Sequence, residues 1–220
     1  PLNYNISWAT CTVEVLYKLG IRHVCISPGA RNSPLTYAFS EHPSIASYIH
    51  IDERSAGFFG LGLAKYSVNP VILISTSGTA PANYYPAVIE AYFSRIPLII
   101  LSADRPDYLV GTGANQTIYQ KDLYGKYVRL YRDVGLPGGN ISELQDLLLL
   151  AYNCSIGENN NAPPGPVHLN YPFDEPFLPE KSDKPNFSNY FIDNQKKVIS
   201  DKIVMPILTP ANKPLIILGP

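Results

Sequence analysis

The sequence predicts an α/β domain: a doubly wound, mostly parallel sheet with helices on both faces. Strand-like and helix-like segments alternate over residues 7–171, which is the pattern of a parallel sheet with crossover helices. The run 71–75 is continuously apolar, as expected of a strand covered on both faces. Hydrophobic residues make up 45% of the 220 residues, enough for a substantial core.

Each helix is predicted from apolar residues at helical spacing and from its end signals. The first helix has Ser7 as a candidate N-cap and ends at Gly20. Pro34 is tolerated near the start of the second helix. The predicted helices are 7–19, 32–39, 55–66, 79–93 and 142–154.

The strands are short runs of β-branched and other apolar residues. The predicted strands are 23–27, 48–51, 71–75, 97–102, 128–134 and 167–171. The second strand, 48–51, is expected to be buried. Right-handed crossovers bring the carboxyl ends of parallel strands to one edge of the sheet, which is where open α/β sheets bind ligands.

The texture of the sequence changes after the last predicted strand. Residues 1–175 are predicted to form one domain. Prolines punctuate the polar segment that follows, so residues 176–209 are interpreted as an extended linker. Residues 210–220 are interpreted as the first strand of a truncated central domain. The chain is therefore expected to be a fragment.

Composition excludes several functions. The net charge is −1, which gives no basic face for nucleic acid. No apolar run reaches the ~20 residues of a membrane span, and no signal peptide is visible. Cys11, Cys25 and Cys154 are expected to be free buried thiols of a cytoplasmic protein. No metal site is predicted, because the histidines lack ligand spacing, and His50 and His168 fall within strand patterns.

Glu53 is the first candidate for chemistry. It follows the second predicted strand and precedes a Gly- and Ala-rich helix. A carboxylate desolvated there would have a raised pKa and could share a proton with a nitrogen heterocycle. The alternative interpretation is a carboxylate placed at a helix start because the helix dipole favours it.

Two turns at the same predicted edge are candidates for ligand contacts. Pro28 and Gly29 follow the first strand, and Thr79 lies in a Thr-Ser-Gly-Thr-Ala segment after the third. In that segment Gly78 allows close backbone approach, and free amides at a helix start favour polar ligand groups. The alternative is a tight turn in which Thr79 serves as the helix N-cap.

Two arginines indicate an anionic substrate. Arg31 follows the first turn and Arg105 follows the fourth strand, and arginine suits bidentate recognition of carboxylates. The alternatives are a salt bridge of Arg31 at a helix start and a local pair of Arg105 with Asp104. Two arginines at one edge of a chain with only 16% charged residues favour a dicarboxylate or another ligand with several negative charges.

A Gly-rich loop follows the second of these arginines. Its amides, Asn115 and Gln116, can hydrogen-bond a polar substrate. Solvation of the loop is the alternative role for both side chains.

Five motifs occur in order: Ile-Ser-Pro-Gly-Ala-Arg-Asn-Ser-Pro-Leu at 26–35, His-Ile-Asp-Glu-Arg at 50–54, Thr-Ser-Gly-Thr-Ala at 76–80, Ala-Asp-Arg-Pro at 103–106 and Gly-Ala-Asn-Gln at 113–116. Together they resemble the N-terminal region of the 2-succinyl-5-enolpyruvyl-6-hydroxy-3-cyclohexene-1-carboxylate synthases. These are thiamine-diphosphate enzymes of menaquinone and phylloquinone biosynthesis. The resemblance covers about residues 1–175, and it implies that this region is the pyrimidine-binding domain.

The resemblance also implies roles for the candidate residues. Glu53 would be catalytic: it would hydrogen-bond the aminopyrimidine ring of thiamine diphosphate and favour its imino form. The implied cofactor contacts are Glu53, Pro28, Gly29 and Thr79, and the implied substrate contacts are Arg31, Arg105, Asn115 and Gln116. The implied substrates are 2-oxoglutarate, which is decarboxylated, and isochorismate, which accepts the succinyl-semialdehyde unit.

Further implications concern assembly and metal. The active site would be shared between subunits of a homodimer or homotetramer. Mg²⁺ or Mn²⁺ would hold the diphosphate through a GDG…N signature that these 220 residues lack, so they are expected to be inactive alone. Ala30 stands where the family usually has Ser. The alternatives are another thiamine-diphosphate 2-oxoacid decarboxylase or synthase, or a non-catalytic nucleotide-binding module.

Overall fold

The computed structural model describes residues 3–159, 162–180 and 184–190, and these ranges contain five α-helices and six β-strands. The helices are α1 (Tyr4–Lys18), α2 (Ser33–Glu41), α3 (Glu53–Ser67), α4 (Tyr85–Phe93) and α5 (Ile141–Ile156). The strands are β1 (His23–Ile26), β2 (Ala46–Ile49), β3 (Val71–Ser75), β4 (Leu98–Asp104), β5 (Leu130–Asp133) and β6 (Val167–Pro172). Short 3₁₀ turns occupy Pro81–Tyr84, Asp107–Leu109, Gly125–Tyr127 and Phe187–Asn189.

All six strands form one parallel sheet in the order β2-β1-β3-β4-β6-β5. The predicted doubly wound α/β fold is thereby confirmed. The chain moves from β1 outward to β2 and then returns to the other side of β1 to add β3. The strand order thus reverses between β1 and β3, and such a reversal opens a crevice at the carboxyl edge of a sheet.

The helices cover both faces of the sheet. One core includes Leu16 of α1, Phe39 of α2 and Leu148 of α5. The other includes Ala64 of α3 and Val88 of α4. Every residue of β3 and β4 is buried between the two layers, which explains their continuous apolar sequences.

The first helix begins one turn earlier than predicted. Asn3 is its N-cap and accepts a hydrogen bond from the amide of Ile6 at 3.3 Å. The prediction that Ser7 caps this helix is wrong, because Ser7 lies within it and its hydroxyl donates to the carbonyl of Asn3. The amide of Asn5 donates to the carbonyl of Pro176 at 2.9 Å, which ties the helix start to the segment after β6.

The second strand is exposed, and the prediction that it is buried is wrong. It lies at the edge of the sheet beside β1, with three of its four residues exposed. The predicted position of His50 within this strand is also wrong. His50 follows the strand, and its ring centroid lies 4.8 Å from that of Phe59 on α3.

The predicted helix 79–93 is divided into a 3₁₀ turn and α4. Pro81 and Pro86 stand near the starts of these two elements, and neither proline has an amide hydrogen to continue a preceding helix. Thr79 is exposed and precedes both elements. The N-cap position of the 3₁₀ turn is Ala80, so the alternative role of Thr79 as an N-cap is wrong.

The first part of the predicted linker packs against the domain where the structure describes it. The Tyr190 hydroxyl donates to the carbonyl of Ser7 at 3.1 Å, and the Phe187 ring lies edge-on to His42. Residues 191–220, which include most of the predicted linker and the predicted strand 210–220, lie outside the described residues. The domain boundaries therefore remain predictions.

No helix in the described ranges combines the length and the apolarity needed to cross a membrane.

Candidate functional site

The turns that follow β1 and β3 meet at the reversal of the strand order. Asn32 is buried and holds the first turn, because its side chain accepts from the Gly29 amide and donates to the Ser27 carbonyl, both at 2.8 Å. A Cβ atom on Gly29 would lie 2.5 Å from Cβ of Thr76 in the second turn. Only glycine allows this approach. Pro28 is exposed beside this contact.

Glu53 is the first residue of α3 and is half-buried. The N-cap is its neighbour Asp52, whose carboxylate accepts from the Ser55 amide at 3.0 Å. Oε2 of Glu53 accepts from the side-chain amide of Asn83 at 3.3 Å. Asn83 belongs to the 3₁₀ turn that begins two residues after Thr79. Glu53 therefore links the region after β2 to the region after β3, although the strand before it is exposed.

Arg105 stands directly after β4, and its guanidinium binds two neighbouring segments. It donates to the Ser77 hydroxyl and, at 2.7 Å, to the carbonyl of Gln116. The side-chain amide of Gln116 donates in turn to the Ser77 carbonyl at 3.0 Å. Burial lowers the pKa of Arg105, and the positive charge of Arg31 lowers it further. The structure thus brings Arg105, Gln116 and the turn after β3 together.

The turn after β3 requires glycine at position 78. Gly78 has a φ of +83°, and a Cβ there would lie 2.8 Å from Cγ of Gln116. Gln116 itself has a φ of 56°, a conformation that non-glycine residues adopt infrequently. The unusual backbone at both positions results from the close packing of the loop on the turn.

Arg31 is half-buried and binds the segment that follows β6. It donates to the Phe173 carbonyl, and its guanidinium carbon lies 4.6 Å from the centre of the Phe177 ring. Burial lowers its pKa, while the carboxylates of Asp174 and Glu175 oppose that shift. Its Nε is buried and has no hydrogen-bond partner among the described residues. A buried donor of this kind is costly unless a ligand or water uses it.

The structural alternatives for the two arginines are not supported. The ion pairs found within the described ranges include neither Arg31 nor Arg105. Asp104 accepts from the backbone amide of Arg105 at 2.7 Å, so this contact is a local hydrogen bond to the backbone. Both guanidinium groups thus carry charge without a carboxylate bound to them in the described chain.

Asn115 differs from its neighbour in the loop. It is exposed, and its side chain makes no hydrogen bond within the described residues, whereas its carbonyl accepts from Thr117. Of the two loop amides, the structure therefore brings only Gln116 into the cluster with Arg105.

A buried polar network behind Arg105 was missed by the sequence analysis. Gln120 and Asn170 are each 1% exposed, and the Gln120 amide donates to Oδ1 of Asn170 at 2.9 Å. Asn170 donates to Asp104 at 2.8 Å and to Asp133 at 3.1 Å. Burial raises the pKa of Asp104 despite these bonds. An asparagine inside the apolar strand run 167–171 was the available signal.

A cavity of about 350 Å³ opens between the end of β4 and the loop that follows it. Its lining includes Asp104, Gln120 and Tyr119. None of the candidate cofactor or substrate residues lines this cavity, so it lies beside the candidate site and is not assigned to cofactor or substrate.

Comparison with known proteins shows which family this chain resembles. Residues 6–123 match the family described as "Thiamine pyrophosphate enzyme, N-terminal TPP binding domain". The chain is similar to three curated relatives, each named 2-succinyl-5-enolpyruvyl-6-hydroxy-3-cyclohexene-1-carboxylate synthase. That of Haloarcula marismortui is 49% identical over 177 residues, covering 80% of this chain and 30% of the relative. That of Geobacillus kaustophilus is 47% identical over 175 residues, covering 78% and 30%.

The third relative, from Chlorobium phaeobacteroides, is 41% identical over 228 residues, covering 96% of this chain and 39% of the relative. The chain therefore spans well under half of the length of each of these relatives.

Proposed function

We propose a function on the premise that this chain belongs to the thiamine pyrophosphate enzyme family, whose N-terminal, cofactor-binding domain its residues 6–123 match. It is the pyrimidine-binding part of a synthase that decarboxylates 2-oxoglutarate and adds the succinyl-semialdehyde unit to isochorismate in menaquinone biosynthesis. The observation that supports this proposal most is the position of Arg31 and Arg105 at the edge that also bears Glu53. Neither arginine forms an ion pair with a carboxylate in the described part of the chain.

The residues at this edge fit thiamine diphosphate. Glu53 is half-buried, and within the described residues only its Oε2 accepts a hydrogen bond, from Asn83. Its Oε1 would therefore be available to bind an aminopyrimidine nitrogen. Pro28, Gly29 and Thr79 lie on the two turns at the reversal of strand order, where they would contact the ring. When bound, the cofactor would supply a nucleophilic carbon for the 2-oxo group and a cationic ring that can take up the electron pair left when CO₂ departs.

The proposed role of Glu53 is to share a proton with the cofactor. Its carboxylate would share a proton with the ring nitrogen and so stabilise the protonated pyrimidine. The position at the first turn of α3 favours its negative charge through the helix dipole. Removal of that charge would leave the ring bound but not polarised.

The part of the arginines is to bind and orient the substrates. Each of the two proposed substrates carries two carboxylates, and guanidinium groups bind carboxylates with two parallel hydrogen bonds. Arg31 has an unused buried donor, and Arg105 is fixed by Ser77 and Gln116. Gln116, with Asn115 beside it, would complete the substrate contacts.

Metal, assembly and location extend the proposal. Mg²⁺ or Mn²⁺ would be bound by ligands outside these 220 residues, which lack the GDG…N signature. Exposed Ile51, Phe58 and Phe59 near Glu53 support a homodimer or homotetramer with a shared site. The three free, buried cysteines support a cytoplasmic location.

The test is an assay of the full-length protein with thiamine diphosphate, Mg²⁺, 2-oxoglutarate and isochorismate. We expect CO₂ release from 2-oxoglutarate and consumption of isochorismate in equal amounts. Turnover of pyruvate but not of 2-oxoglutarate would instead support another thiamine-diphosphate decarboxylase or synthase. Absence of turnover with all of these oxoacids would support the non-catalytic alternative.

A further inference from the structure

Gln120 connects three elements at the carboxyl edge through one buried side chain. Its Oε1 accepts from the amide of Gly78 at 2.8 Å. Its Nε2 donates to the carbonyl of Ala103 at 3.1 Å and to Oδ1 of Asn170 at 2.9 Å. The acceptor and both donor hydrogens of the amide are therefore used, and the residue is 1% exposed.

The partners of Gln120 belong to the turn after β3, to β4 and to β6. In the sheet, β4 lies between β3 and β6. The hydrogen bonds of Gln120 therefore hold the turn after β3 in a fixed position relative to β4 and β6. Asn170 is itself held by Asp104 and Asp133. The anchor on the β6 side is therefore rigid, and the turn at Gly78 is the element whose position depends on Gln120.

That turn holds the two groups assigned to substrate binding. Its Ser77 accepts from Arg105 through the hydroxyl and from Gln116 through the carbonyl. Its Gly78 packs against Cγ of Gln116. If this turn were displaced, both Arg105 and Gln116 would move. Neither residue forms a hydrogen bond with Gln120 among the described residues.

We propose that Gln120 is a positioning residue that acts through the Ser77–Gly78 turn to set the arrangement of Arg105 and Gln116 for substrate. This inference rests on the proposed function for the identity of the substrate. It assigns no contact between Gln120 and substrate. Its effect should therefore appear as a loss of substrate affinity that is coupled to Arg105.

A matched control lies in the same network. The Ser102 hydroxyl is buried and bonds to Nε2 of His168 at 2.7 Å and to Oδ1 of Asn170 at 2.8 Å. It does not touch the turn after β3. Ser102→Ala should thus lower stability through the same network while leaving Arg105 and Gln116 in place.

The experiment compares Gln120→Leu and Ser102→Ala in the full-length protein. We expect both variants to lower Tm, but only Gln120→Leu to raise the KM for the dicarboxylate substrate, by ~10-fold or more. Combining Gln120→Leu with Arg105→Ala should cost less than the product of the single effects, because both act at one contact. Equal KM values in Gln120→Leu and Ser102→Ala would overturn the inference. So would a double variant of Gln120→Leu and Arg105→Ala whose loss equals the product of the two single losses.

Two further measurements cover the remaining outcomes. If Gln120→Leu does not fold, Gln120→Glu is used in its place. A protonated carboxyl at this position can donate one of the two hydrogen bonds that Gln120 donates. The KM of this variant should therefore approach that of wild type as the pH falls. If the wild-type protein has no synthase activity, the proposed function fails, and hydrogen exchange then tests the positioning role alone. Exchange at the Gly78 amide should accelerate in Gln120→Leu and not in Ser102→Ala, and unchanged exchange would refute the role.

Discussion

The surroundings of Glu53 and those of Arg105 are built differently, although both lie at the carboxyl edge of one sheet. Arg105 rests on Ser77 and Gln116, and a buried network behind it joins β3, β4 and β6. Glu53 has one hydrogen-bond partner among the described residues, Asn83, and follows an exposed edge strand. Arg105 is thus held by neighbours within the described residues, whereas Glu53 keeps one carboxylate oxygen without a partner there.

The exposed apolar side chains reinforce this contrast. Ile51 is 85% exposed, and Phe58 and Phe59 are 46% and 43% exposed. All three lie within six residues of Glu53 in the sequence, and exposed apolar side chains near a candidate site are typical of a contact surface. On the proposed function, the surroundings of Arg105 are organised when the domain folds, and those of Glu53 are completed when the cofactor and a second subunit bind.

The largest effect is expected from Glu53→Gln in the full-length protein. The amide keeps an oxygen for Asn83 but has no negative charge to stabilise a protonated ring nitrogen. Activity should fall by ~10²–10⁴-fold, the usual contribution of a general acid or base, with Tm unchanged. Steady-state kinetics with saturating thiamine diphosphate measure this.

Asp52→Asn is the matched control for that prediction. Asp52 is the adjacent carboxylate and caps α3 through Ser55, and asparagine caps helices equally well. The control should retain nearly full activity. Retained activity in Glu53→Gln would show that Glu53 takes no part in the reaction. The surroundings of Glu53 and Arg105 would then not be two halves of one site.

A smaller effect is expected from Arg105→Ala. Loss of one charge-assisted contact costs about 1.5–3 kcal/mol, so kcat/KM for the carboxylate substrates should fall by roughly 10–100-fold. The affinity for thiamine diphosphate should be nearly unchanged. Arg54→Ala, which removes an exposed arginine paired only with Asp52, should leave both quantities as in wild type.

The opposite pattern would change the assignment. If Arg105→Ala weakened cofactor binding and left the substrate parameters unaltered, the arginine would serve the diphosphate. Titration calorimetry of the cofactor and initial rates over a range of 2-oxoglutarate concentrations distinguish the two.

His168, which is joined to the buried network behind Arg105 through Ser102, should make the free energy of unfolding depend on pH. Burial lowers the pKa of His168 from 6.5 to about 3, so the unfolded chain binds the proton more readily. The stability contributed by neutral His168 is then present above pH 6.5 and is lost as the pH falls towards 3. At pH 5 the loss is about 2 kcal/mol.

His168→Gln should remove this loss, since glutamine does not titrate and can still donate to Ser102. The free energy of unfolding of the variant should therefore fall less than that of wild type between pH 7 and pH 5. Asp104, whose raised pKa acts in the opposite sense, is present in both proteins and cancels in the comparison. Parallel curves from denaturant titrations would contradict the prediction.

The smallest effect is expected from Asn115→Ala. Its side chain is exposed and makes no hydrogen bond in the described part of the chain that would hold it in place for substrate. Loss of its proposed substrate contact should therefore lower kcat/KM by only about threefold. Gln116→Ala, by contrast, removes the bond to the Ser77 carbonyl and should cost about tenfold. Equal losses in the two variants would show that the loop reorganises on substrate binding.

The sequence could predict those parts of the molecule that depend on local pattern. The run 71–75 was assigned as a buried strand and β3 has the same bounds, because a strand covered on both faces has no polar side to interrupt the run. The candidate residues Arg31, Arg105 and Gln116 were found from their positions after strands. Their roles in binding remain predictions.

Other features depend on partners far away in the chain and could not be predicted. Gln120 appears in the sequence as one more polar loop residue, and its role arises only from Gly78 and Asn170. The exposure of β2 follows from its place at the sheet edge, while its residues Tyr48 and Ile49 are apolar. Pattern identifies elements, but neighbours in space decide which of them are buried.

The contact between Arg31 and the Phe173 carbonyl joins residues that are 142 positions apart. Such long closures are slow steps in folding, and chains fold from the N-terminus as they leave the ribosome at about 5–20 residues per second. Arg31 would be synthesised many seconds before its partner at that rate. The contact of Arg31 with Phe173 therefore forms only after the central strands β1, β3 and β4 have been made.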